Sequence, residues 1–162
     1  MNIEKLYEMQ EALDRHIEEQ HGLQSENLID RKVLALLVEL GELANETRCF
    51  KFWSLKPASG HKVILEEFVD GIHFILSLGI ETGFRESGFA DVSLPSCKLS
   101  DQFLVVYSAI DEFRKNRDQQ AYSRLFREYM GVAQMLGFSE DDVVKAYIEK
   151  NEVNYERQRS GY

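Results

Sequence analysis

Apolar residues return every three or four positions along almost the whole chain, and strict alternation is scarce. That period is helical and predicts helices over about 2–20, 27–51, 61–84, 100–116, 119–136 and 140–157. Ser100-Asp101 and Ser139-Glu-Asp-Asp142 read as helix starts, an oxygen cap followed by acids in the first turn. Gly137 reads as a helix-terminating glycine. The stretch Gly83–Ser100 mixes Gly, Ser and Pro and reads as the longest loop, and no repeat or linker interrupts the rest. The expected architecture is an all-α helical bundle of about six helices, a single domain over residues 1–162.

Two of the apolar runs carry acids where a core helix should be apolar. Glu39 and Glu42 lie in LLVELGELANE, and Glu67 and Asp70 lie in VILEEFVDGIHFIL. Each pair is spaced i, i+3, so both carboxylates leave the same side of a helix. Acidic pairs at this spacing are common, as at Glu8/Glu11, Glu11/Asp14 and Glu149/Glu152, and a single one reads as a solvated face. The neighbours of the first two pairs are Leu36, Leu37, Leu40, Leu43, Phe68, Val69, Ile72 and Ile75, which leaves little of either helix to face water. Buried carboxylates without compensation cost several kcal/mol each. A hard divalent cation shared with substrate phosphates would compensate them, so the pattern predicts a four-helix metal-binding core and a metal-dependent phosphate enzyme. Gly41 and Gly71 adjoin these acids, either letting helices approach around a metal or serving ordinary close packing.

Composition narrows the class. The chain has 162 residues, 44% of them hydrophobic, with a net charge of -9. The acidic balance argues against a duplex-binding surface. No apolar run reaches membrane length, and the start MNIEKLYEMQ lacks a signal-peptide core. Cys49 and Cys97 make no disulfide framework or zinc motif, so a reduced cytoplasmic setting is expected.

Three further features have a functional and a structural reading. Gln10 and Asp14 fall on the apolar stripe Ile3, Leu6, Tyr7, Leu13 and Ile17 of the first helix. They either read the hydrogen-bonding edge of a base or make a buried interhelical bond. Lys51 and Trp53 lie in an aromatic-basic segment that either holds a base and a phosphate or caps the core, while His73 and Phe74 lean toward the acidic face. Lys150, Asn154 and Arg157 share one helical face in an otherwise acidic protein, suited to phosphate oxygens or to complementing a helix C-terminus.

Taken in order, these segments resemble the dimeric all-α dUTPases, within the all-α nucleoside-triphosphate pyrophosphohydrolase superfamily that includes MazG-related proteins. The E-x-x-E and E-x-x-D helices are met by Glu39/Glu42 and Glu67/Asp70, and the D-x-x-H-F continuation by Asp70, His73 and Phe74. The intervening aromatic-basic segment is met by Lys51-Phe-Trp53. The closing K-N-x-x-N-x-x-R-Q-x-x-G-Y pattern is met from Lys150 to Tyr162 and is the most specific of these matches. The resemblance implies hydrolysis of dUTP to dUMP and pyrophosphate, with two or more Mg²⁺ ions held by the four carboxylates. It implies that Glu42 orients or deprotonates the attacking water. It assigns Lys150, Asn154, Arg157 and Tyr162 to the phosphates, and Gln10, Asp14, Trp53, His73 and Phe74 to the base and sugar. It further implies a homodimer. Some members of the family carry Asn where this chain has Asp14, which leaves uracil and cytosine both open, because a carboxylate can accept from uracil N3–H or from the cytosine amino group. The alternatives are a MazG-like enzyme acting on dCTP or modified nucleotides, and a helical interaction protein without turnover.

Overall fold

A computed structural model describes residues 2–89 and 92–162. It contains α1 (Ile3–His21), α2 (Ile29–Thr47), α3 (His61–Thr82), α4 (Leu99–Asn116), α5 (Gln119–Leu136) and α6 (Glu140–Arg159), and no strand among the described residues. The all-α expectation is met, and five of the six helices lie close to the predicted ranges. The exception is α2, which ends at Thr47 rather than continuing to 51. Arg48 takes a left-handed conformation with φ 58° and closes the helix through its backbone N–H. That strained geometry is held by its own side chain, which donates to Ser54 Oγ (2.8 Å) and to the Lys56 carbonyl (3.0 Å).

Caps explain most other boundaries. Ser139 and Asp142 form a reciprocal capping box at the start of α6, and Asp118 accepts the Ala121 N–H at the start of α5. Gly22, Gly83 and Gly137 end α1, α3 and α5 in the left-handed region.

The centre of the bundle is α3, which packs against α1, α2, α5 and α6. Its sequence permits this because nearly every face is apolar, from Ile64 through Phe68, Val69, Ile72, Ile75 and Leu76 to Leu78. The pairs α2–α3 and α4–α5 are the main helical hairpins, and α6 lies against both α3 and α1.

Four fully buried tyrosines, Tyr7, Tyr122, Tyr129 and Tyr147, each find a partner for the hydroxyl, as burial requires. Tyr129 donates to the Phe68 carbonyl (2.7 Å) and Tyr122 to the Ile75 carbonyl (3.0 Å), so α5 is fastened to α3 at two points seven residues apart. Gly71 and Gly79 leave the space for those two hydroxyls. Gly41 faces Tyr107 of α4. The glycines beside the acids therefore admit tyrosines from α4 and α5, which is close helix packing.

Candidate active site

The two acidic pairs meet. Glu39 comes from α2, and Glu67 and Asp70 from α3; one carboxylate oxygen from each lies within 4.8 Å of the others. One oxygen of Glu39 and one of Glu67 are buried without any hydrogen-bond partner. Glu42 adds its charge to all three without belonging to this tightest group. Burial, then repulsion from Asp70 and Glu42, pushes the Glu39 carboxyl up to about 8. Burial and the same neighbours push Glu67 up to about 7. Burial also raises Asp70, opposed by Lys150, whose ammonium lies 3.1 Å from it. Unpartnered, mutually repelling oxygens of this kind fit a divalent cation, which supplies the missing positive charge and ligand contacts.

The second half of the site is a cavity of about 260 Å³ enclosed by α1, α2, α3 and α6. Glu39 and Asp70 line one part of it, and Gln10, Asp14, Lys32, His73, Phe74 and Ser77 another. Leu13, Ile17, Leu23 and Leu28 supply an apolar wall, and Asn154 and Arg157 reach in from α6. The cavity is large enough for a flat ring and carries few polar groups among apolar ones, as small-molecule sites do.

Those polar groups are ordered by one network. Gln10 Nε2 donates to Asp14 Oδ1 (2.8 Å), and Ser77 Oγ donates to Asp14 Oδ2 (2.7 Å). Tyr147 donates to Gln10 Oε1 (2.9 Å), and His73 Nδ1 lies 2.6 Å from the same oxygen. That oxygen can only accept, so the hydrogen of His73 is on Nδ1. His73 stacks on Tyr147 with ring centroids 4.2 Å apart, and burial lowers its pKa to about 3. The imidazole is therefore neutral, and its Nε2 is a buried acceptor with no partner. Gln10 and Asp14 thus make the interhelical bonds of the structural reading, and both also line the cavity.

The tail residues divide. Lys150 pairs with Asp70, and Asn154 and Arg157 line the cavity. Tyr162 is 81% exposed and lies against the Arg157 guanidinium, 4.7 Å from ring centroid to Cζ. Gln158 clasps the end of α1 by accepting from Gln20 at its carbonyl and by contacting His21 at 2.9 Å. The segment with Lys51 and Trp53 is not brought to the cavity. It forms an exposed turn after Arg48, with Trp53 64% and Phe52 93% accessible.

Sequence reasoning missed Lys32, Ser77 and Tyr147. Ser77 left a signal: it interrupts the apolar run FILSLGI four residues after His73 and seven after Asp70, on the same face of α3. Lys32 and Tyr147 left none, since a lysine in a first helical turn and a core tyrosine are both ordinary.

Among curated proteins, none matches the chain. A family model described as dUTPase matches residues 2–162, from the start of α1 through the whole of the basic tail. With the acidic helices, the nucleoside-sized cavity and the tail all inside that match, the chain belongs to the dUTPase family and is an enzyme of the dUTP diphosphatase type.

Proposed function

We propose that the protein hydrolyses dUTP to dUMP and pyrophosphate in a Mg²⁺-dependent reaction, with the nucleoside in the α1–α3 cavity and the phosphates beside the carboxylates. The observation that carries this reading is the continuity of the cavity. A single space joins the Gln10–Asp14–Ser77 network to Glu39, Asp70 and Arg157, so one ligand with a base at one end and phosphates at the other fits both.

Glu39, Glu42, Glu67 and Asp70 would hold the Mg²⁺, two or more ions given four carboxylates. Bound there, the metal neutralises phosphate charge and favours attack by water. The chain's own groups do the rest. Glu42 orients the attacking water and takes its proton as the new P–O bond forms at the α-phosphorus. The bond from that phosphorus to the bridging oxygen breaks, and pyrophosphate leaves with the electron pair. Arg157 and Asn154 hold the outer phosphate oxygens from α6, and Lys150 exchanges its contact with Asp70 for one with phosphate. The unpartnered Nε2 of His73 accepts from the nucleoside, and Phe74 covers its ring. Lys51, Trp53 and Tyr162 lie on segments outside the cavity and would reach the substrate only by closing over it.

The same reading extends to assembly and setting. Leu34 and Val38 on α2 and Leu104 on α4 are 62%, 50% and 65% exposed, an apolar face suited to a homodimer interface. The two cysteines are free, and among the described residues no helix is long and apolar enough to cross a membrane. A cytoplasmic location without stable nucleic-acid or membrane binding accords with these features and with the acidic charge.

The test is product analysis with purified protein, Mg²⁺ and a panel of dUTP, dTTP, dCTP and UTP. Formation of dUMP and pyrophosphate from dUTP well above the rest is the expected result. Faster turnover of dCTP would replace this substrate assignment, and no turnover of any nucleotide would remove the mechanism.

A further inference from the structure

The two oxygens of Asp14 are not merely satisfied; they are satisfied by donors alone. Gln10 turns its Oε1 toward Tyr147 and His73 and its N–H toward Asp14 Oδ1. Ser77 spends its single hydrogen on Oδ2. A third group stands behind them. Lys32, from the first turn of α2, reaches to 3.9 Å from Asp14 Oδ2 with its side chain only 13% exposed. Among the described residues it is the one cation within ion-pair distance of Asp14. Its own position is fixed by Glu81 of α3 at 2.8 Å and Glu18 of α1 at 3.8 Å. Burial opposes the charge on Asp14, and Lys32 is the largest of the influences that favour it.

We infer that Lys32 is a positioning residue for base selectivity: with Ser77 it keeps Asp14 an acceptor-only carboxylate beside a cationic donor, a pattern that fits uracil and opposes cytosine. The inference rests on the reading of Gln10 and Asp14 as the pair that faces the base. Uracil presents a donor at N3 flanked by carbonyl oxygens, which a carboxylate next to an ammonium complements. Cytosine presents a lone pair at N3 and an amino group at position 4, so the lone pair meets the carboxylate and the amino group meets the ammonium. Lys32 lines the same cavity as Asp14 and gives its shortest contact to Glu81, so an ammonium hydrogen not given to Glu81 would meet a carbonyl oxygen there. Without Lys32, a protonated Asp14 would gain a donor of its own, and the distinction between the two bases would fade.

The experiment compares wild type with Lys32→Met, Lys32→Gln, Lys32→Arg and Ser77→Ala. Steady-state kinetics with dUTP and dCTP are measured at saturating Mg²⁺, and binding of deoxyuridine and deoxycytidine is measured without metal. Lys32→Met is expected to raise KM for dUTP at least tenfold while kcat changes far less, because the reacting phosphates are at the other end of the cavity. It is expected to narrow the dUTP-to-dCTP ratio of kcat/KM at least tenfold. Lys32→Arg should restore most of that ratio, and metal-free nucleoside binding should show the same order. A loss of kcat shared equally by both nucleotides, or an unchanged ratio, would overturn the assignment and leave Lys32 a structural ion pair. If Lys32→Met does not fold, Lys32→Gln decides, since it removes the charge but keeps a polar side chain: a narrowed ratio supports the assignment, and an unchanged ratio overturns it; Ser77→Ala, which removes one donor to Asp14, should narrow the ratio as well. A wild type that shows no preference for dUTP over dCTP would instead overturn the underlying substrate reading.

Discussion

Replacing Gly71 by Ala sets two effects of opposite sign against each other. In an unconstrained helix the change is favourable by about 1 kcal/mol, because alanine loses less backbone entropy. Here the added Cβ would lie 2.0 Å from the Tyr129 hydroxyl and 2.7 Å from its ring carbon Cζ. Tyr129 cannot step aside cheaply, since it is fully buried, stacks on Phe68 with centroids 4.6 Å apart and donates to the Phe68 carbonyl. Overpacking costs roughly 1–3 kcal/mol, and a buried hydroxyl deprived of its partner costs roughly 1–3 kcal/mol more. The net expectation is a loss of about 1–5 kcal/mol, or about 2–20 °C in melting temperature for a chain of this size. Calorimetry of the metal-free protein measures it. Gly41→Ala is the internal control, because its Cβ would meet only the Tyr107 hydroxyl, at 3.3 Å; it should be near neutral. Adding Tyr129→Phe to Gly71→Ala removes the nearer clash and should recover part of the loss. A melting temperature for Gly71→Ala equal to or above wild type would refute this account of how α3 and α5 are held together.

Glu42→Gln and Asp70→Asn should each lower turnover by more than the roughly 100-fold that loss of a merely supporting group costs, with the helical circular-dichroism signal retained; normal turnover by either would remove the metal-site assignment. The raised carboxyls give a pH test. The folded state keeps protons on Glu39 to about 8 and on Glu67 to about 7, above the ordinary carboxylate range, so their contribution to stability is full at acid pH and is lost as pH rises through 7 and 8. Metal-free wild type should lose melting temperature relative to Glu39→Gln between about pH 5 and 8, and parallel curves for the two proteins would contradict the shift. Ending the chain at Val153 removes Asn154 and Arg157 from the cavity and the Gln158 clasp on α1 while keeping Lys150; KM for dUTP should rise at least about tenfold, and unchanged kinetics would reduce the tail to a helix end.

The bundle was readable because its helices announce themselves by period and, at Ser139 and Gly137, by caps, although Ser100 lies inside α4 behind an N-cap at Lys98; the acidic pairs were readable because carboxylates among Leu and Phe demand compensation. The end of α2 was not. Nothing in Thr47-Arg48-Cys49-Phe50 resembles a stop, and the helix closes there because the Arg48 side chain can reach Ser54 and Lys56 only after the chain has turned. The misplaced end took in Lys51, whereas Trp53 already lay beyond it; both fall in the turn after Arg48, away from the cavity. The cavity half of the site was legible in outline through Gln10 and Asp14, but its ordering groups come from α2, α3 and α6 at once. Lys32 and Tyr147 acquire meaning only when those helices meet, and no local pattern records a meeting.

The dependence of the cavity on α6 also bears on how the protein is made. A ribosome delivers α1, α2 and α3, with Gln10, Asp14 and the acids, while Tyr147, Lys150, Asn154 and Arg157 are still untranslated. Until α6 emerges, Gln10 lacks its tyrosine donor and Asp70 its ammonium partner. The most distant contacts in the sequence, such as that of Gln10 with Tyr147, are therefore also the ones that close the site. A nascent chain released early would carry an acidic, half-built pocket without the cations of α6. Emergence of α6 and closure of the cavity are one event in this topology.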